Sequence, residues 1–177
     1  MQSAAPDSAV PVLAEADLDV MPEPVQRYLR VTGAVGQPRV ANFGALLRGR
    51  IRSSRDARWI PLAIEQHNVV AGVRARFFYF SGSMMGIPVQ GYHRYAEASA
   101  TMRVKAAALV PVADAAGPEM DQSETVTLFN DMCLFAPASL VDPAIVWEAV
   151  DRNTARRRLP TPAARFALSC SSTTAAS

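Results

Sequence analysis

From Pro38 to about Val112 apolar and polar residues alternate with a period of two, in stretches separated by Gly, Pro, Ser and Ala-rich turns. No other feature restricts the fold as strongly. In NFGALLRGRIRS, Phe43, Ala45, Leu47 and Ile51 fall on one face and Leu46, Arg48, Arg50 and Arg52 on the other, which predicts a long edge or one-sided strand. RWIPLAIEQHNVV, VRARFFYFSG, VQGYHRYAEA and ATMRVKAAALV follow it, and consecutive antiparallel pairing is the economical topology. No part of the pattern points to a parallel βαβ unit.

Helical spacing brackets the strands. In MPEPVQRYLRVTG the prolines sit where a first helical turn tolerates them, Val25, Tyr28 and Leu29 share a face, and Gly33 ends the run. In GPEMDQSETVTLFNDMCLFAP, Asp121 followed by Glu124 is a capping-box-like start, Val126, Phe129, Met132 and Cys133 form an apolar stripe, and Pro137 terminates it. This predicts a helix from about Ser123 to Phe135 packed on the sheet, with IVWEAVD as a further strand whose Trp147 touches the core. The expected fold class is therefore α+β: a curved antiparallel sheet, a short N-terminal helix and one longer helix across the sheet. By fold-level analogy it is a half-barrel of the lipoprotein-carrier kind.

A length of 177 residues with 50% hydrophobic and 19% charged residues fits one ordinary core, expected at 21–156 behind a flexible lead-in at 1–20. Of 18 basic residues only Lys105 is a lysine, and the arginines are scattered among acids and apolar residues; with a net charge of +2, no nucleic-acid partner is expected. The N-terminus lacks a basic region followed by an apolar core, and no segment is long enough to span a bilayer, so a soluble cytoplasmic protein is expected. Two cysteines, Cys133 and Cys170, supply neither a disulfide framework nor a zinc set, and Cys133 reads as a small buried hydrophobe.

The segments PEPVQRYLRVTGAVGQPRV, RWIPLAIEQH, GIPVQGYHRY, GPEMDQSETVTLFNDMCLFAP and IVWEAVDRNTAR together resemble an uncharacterised bacterial family of domains of unknown function, over about Met21 to Arg156. The resemblance implies kinship, no transferable activity, and further strands beyond Arg156. The sequence from Arg157 onward, RRLPTPAARFALSCSSTTAAS, is instead rich in Pro, Ser, Thr and Ala. Written in GC-rich codons and read in another frame, its latter part becomes strand-like with an Asp-Asp-Gly-Gly turn. The expectation drawn is a frameshift near Arg157 that makes 157–177 a non-native, disordered tail.

Ten residues are candidates for binding a ligand. Glu65 and His67, two apart in one strand, share a face, and histidines beside carboxylates serve as metal ligands or as acid and base. His93 and Arg94 lie in a later strand, and Glu119, Asp121, Glu124 and Asp131 in the loop and helix after the sheet. Asp121 and Glu124 are equally explained by capping, and Glu124 with Asp131 by a solvated helix face. Arg94 and Lys105 are the cations expected to pair with these acids. Met84 and Met85 in GSMMGIP suit the mouth of an apolar site. HExxH, paired CxxC, calcium-loop, GxSxG and P-loop patterns are all missing, so no metal or cofactor is expected. The leading expectation is a binding module for an apolar or amphiphilic small molecule. The alternatives are an enzyme or metal site built on Glu65, His67, His93, Glu119, Asp121 and Glu124, and an interaction domain without a ligand.

Overall fold

The protein is described by a computed structural model that covers residues 10–52 and 54–158. Six strands follow one another in a single antiparallel meander: β1 (Asn42–Ile51), β2 (Ile60–Val69), β3 (Ala75–Met84), β4 (Ile87–Ala96), β5 (Ser99–Ala106) and β6 (Val110–Ala116). The sheet order is the chain order, as consecutive antiparallel pairing predicts, and the sheet does not close. Helix α2 (Pro118–Phe135) then crosses one face. These residues, 41–135, form one compact unit.

The register fixes which side chains share a face. Towards α2, the row nearest the β2–β3 and β4–β5 turns is Phe43, Asn68, Arg76, Tyr95 and Ala100, and the next is Ala45, Gln66, Phe78, His93 and Met102. A third row is Leu47, Ile64, Phe80, Gly91 and Val104, and a fourth is Gly49, Leu62, Gly82, Val89 and Ala106. The first two rows carry most of the polar side chains of this face, and the last two carry none. Tyr95, Ala100 and Leu128 form a buried apolar cluster with Met120 packed against it, so the helix lies over the polar end of the face.

Two features depart from the sequence reading. The stretch ATMRVKAAALV, expected as one strand over 100–110, is divided between β5 and β6, which turn at Ala107 and Ala108 with φ of 50° and 61°. Alanine rarely adopts that left-handed region, so composition does not advertise the turn. Helix α2 starts at Pro118 rather than near Ser123, which places Asp121 and Glu124 inside it.

The second compact unit comprises residues 1–40 and 136–177, described here over 10–40 and 136–158. It contains a 3₁₀ turn Glu15–Leu18, helix α1 (Glu23–Val31), a 3₁₀ turn Pro137–Val141 and the hairpin β7 (Val146–Asp151) and β8 (Thr154–Arg158). Helix α1 forms where expected and ends before Gly33, whose φ is 68°. Residues 10–20 are not a loose lead-in: Leu13 and Leu18 are completely buried, and Leu13 N–H donates to Gln37 O. Trp147 is half-buried and donates from Nε1 to Leu140 O. Arg157, expected to begin a tail, is buried in β8 instead. The remainder of that expected tail, 159–177 with Cys170, lies outside the described residues.

Candidate functional site

Three acids of α2 at spacings of three and seven residues present their carboxylates to four successive strands. Asp121 Oδ1 accepts from the backbone N–H of Ala100 in β5 at 2.6 Å. Glu124 Oε2 accepts from Arg76 Nη1 in β3 at 2.8 Å, and its Oε1 stands 3.5 Å from His93 Nδ1 in β4. Asp131 Oδ2 accepts from Gln66 Nε2 at 2.6 Å, Asn68 Nδ2 at 3.1 Å and Arg76 Nε at 2.8 Å. Gln66 Nε2 also donates to Asn68 Oδ1 at 3.1 Å. Gln66, Asn68, Arg76, Glu124 and Asp131 are all buried. Charges withdrawn from water to this degree are tolerated only when each is paired and hydrogen-bonded, and the single guanidinium of Arg76 bridges both carboxylates.

Burial raises the pKa of Glu124, but the His93 imidazole and the Arg76 guanidinium beside it outweigh burial and hold the carboxyl below its ordinary range. Glu124 and Asp131 thus set two carboxylates against the one guanidinium of Arg76. His93 Nδ1 is buried and makes no hydrogen bond. Its ring meets Phe78 edge-on at 5.6 Å and lies 6.4 Å from Phe80, so it marks the border between the ionic cluster and the apolar rows.

Those rows are flattened by glycine. A Cβ on Gly91 would stand 2.1 Å from Phe80 Cε1, and one on Gly82 2.7 Å from Leu62 Cδ2, so each missing side chain lets its neighbour lie across the strand. Leu47, Leu62, Ile64, Phe80, Val89 and Val104 are half-buried. They make a shallow apolar strip that begins at His93.

The ten candidates divide by position. His93, Asp121, Glu124 and Asp131 converge on the helix side. Glu65 and His67 pair at 3.1 Å on the opposite face, both exposed, because their odd positions in β2 alternate with Gln66 and Asn68. Such a surface pair contributes little. Arg94 is exposed on that same opposite face, Glu119 is exposed in the first turn of α2, and Met84 and Met85 stand at the β3–β4 turn. The set drawn for an enzyme or metal site is therefore split between two faces, and among the described residues no three or more His, Cys, Asp or Glu side chains gather to hold a metal.

Capping does not account for Asp121 and Glu124, because the helix begins upstream of both and their carboxylates are used against the sheet. Glu124 and Asp131 are not a solvated face either. The paired cation is Arg76, not Arg94 or Lys105. Cys133 is half-buried rather than fully so. Sequence reasoning missed Gln66, Asn68 and Arg76. The available signal was parity: Gln66 and Asn68 fall on the same alternation as Ile60, Leu62 and Ile64, where a polar side chain demands a buried partner.

An open antiparallel meander clamped to one crossing helix by a buried ionic cluster defines an α+β protein. The chain belongs to a family of unknown function, DUF6544, whose model matches residues 11–169. The match runs past Arg156 into the segment expected to be unrelated sequence. No curated protein and no solved structure matches the chain. Among the described residues no helix is long and apolar enough to cross a membrane.

Proposed function

We propose that the domain binds an amphiphilic small molecule, with the apolar part along the third and fourth rows of the sheet and the polar end against His93. The observation that carries this reading is the strip itself. Six large apolar side chains on the helix side of the sheet stay partly open to solvent, and they run directly into a histidine backed by a buried carboxylate. A sheet whose only task was to seat α2 gains nothing from leaving that area open, because each exposed aliphatic side chain forgoes about 1–3 kcal/mol of burial. The ionic cluster seats α2 over the two polar rows and leaves the strip uncovered, which makes the site largely pre-formed. We place the protein in the cytoplasm, where thiols such as Cys133 and Cys170 stay reduced.

The experiment is native mass spectrometry of the full chain together with displacement of a fluorescent apolar probe by long-chain acids, alcohols and amines. Binding that is weakened roughly tenfold by Leu62→Ser and by Val104→Ser supports the reading. A probe that never binds, or that binds equally well to both variants, contradicts it.

One approach favours a second reading as an enzyme. Glu124 Oε1 stands 3.5 Å from His93 Nδ1, and shortening that gap to a hydrogen bond on substrate binding would orient the imidazole so that Nε2 acts as a general base. The readings separate on turnover: an enzyme converts a substrate at a rate that His93→Gln abolishes, whereas a binding module holds amphiphiles without converting them.

A further inference from the structure

The meander places three turns at one end of the sheet: β1–β2 (described over 52 and 54–59), β3–β4 (85–86) and β5–β6 (107–109). Adjacent strands lie about 4.8 Å apart, so the three tips form a rim roughly 25 Å wide. The rim is apolar and open. Met85 is 90% exposed and Leu109 82%, and Ile51, Trp59, Ile87 and Val110 are exposed beside them. At the opposite end the turns at 70–74 and 97–98 expose one large apolar residue, Val73, and an acid, Glu97.

The rim is also basic. The β1–β2 hairpin carries Arg48, Arg50, Arg52, Arg55 and Arg58 against one acid, Asp56, and all six are exposed. Arg52 stacks on the Trp59 ring at 4.4 Å and Arg50 lies 5.5 Å from it. An exposed indole flanked by guanidinium groups, with aliphatic tips on either side, matches a lipid headgroup layer: the ring sits at the interface, the arginines meet phosphates and the tips enter the acyl boundary. Met85 sharpens the point, since its φ of 52° is a position where glycine or asparagine costs less. An exposed methionine there is unfavourable for folding alone.

We propose that this rim is a peripheral docking site for an anionic lipid bilayer. It stands independently of the apolar strip, although the fourth row of that strip ends at the same tips.

The test is co-sedimentation of the full chain with phosphatidylcholine vesicles, with and without phosphatidylglycerol, while Trp59 emission is followed. The expected result is binding to the anionic vesicles alone, weakened by added salt, with a blue shift that Trp59→Phe removes. Arg52→Gln weakens binding about fivefold, Met85→Ser and Leu109→Ser roughly tenfold each, and Val73→Ser at the far end has no effect. Absence of binding, equal binding to neutral vesicles, or equal losses with Val73→Ser would overturn the proposal. So would light scattering that shows a dimer dissociated by Leu109→Ser, because the rim would then belong to a second copy of the chain. A native chain that binds the apolar probe but no vesicles counts against the rim and leaves the strip standing.

Discussion

Asp131 Oδ2 takes hydrogen bonds from three side chains on two strands, and Arg76 spans from that oxygen to Glu124. Removing one member of such a cluster leaves buried charge without a partner, so Arg76→Met is expected to destabilise the protein by about 3–5 kcal/mol, read as a lower urea midpoint. Glu124 sets the acid limb. Its folded pKa is depressed, so the stabilisation it provides is fully present above the ordinary carboxylate range and is lost as pH falls through the lowered folded value. Glu124→Gln is expected to flatten stability against pH in that acid window, and an unchanged acid limb in the variant would contradict the assignment. These residues were only half legible in the sequence. Glu124 and Asp131 stood out as acids, but a carboxylate on a helix reads as capping or solvation unless its partner is known. Arg76 was hidden among 17 arginines.

Among the elements, the strands were read most securely, because alternation reports directly on a sheet with two unlike faces. The β5–β6 turn is not legible, because Ala107 and Ala108 occupy a conformation usually taken by glycine or asparagine. Asp121 and Glu124 imitate a cap, so the sequence points to a start of α2 downstream of Pro118. Two substitutions test the element geometry by thermal unfolding. Gly91→Ala drives a methyl into the Phe80 ring and should cost about 1–3 kcal/mol, with recovery when Phe80→Leu is added. Met85→Asn suits the positive φ and should raise stability by about 0.4–1 kcal/mol. A loss of stability in the Met85 variant would show that the turn differs from the one described.

At the scale of the whole molecule, the polar and apolar halves of the helix-side face divide the labour within residues 41–135. The ionic cluster fixes α2 over two rows, and the other two rows are left as a surface that ends at His93. The sequence makes the α+β class and the meander readable, since both follow from periodicity. The strip is not readable in the same way, because its openness depends on where α2 lies and on two glycines whose missing side chains let Phe80 and Leu62 lie flat. The central claim is tested most directly by titrating straight-chain amphiphiles of increasing length into isotopically labelled protein and following the backbone amides. Binding along the strip shifts Leu62, Ile64, Phe80, Val89, His93 and Val104, with affinity rising about fourfold for each added methylene, equivalent to ~0.8 kcal/mol. Affinity independent of chain length, or shifts confined to the opposite face at Glu65, Tyr79 and Tyr92, would contradict it.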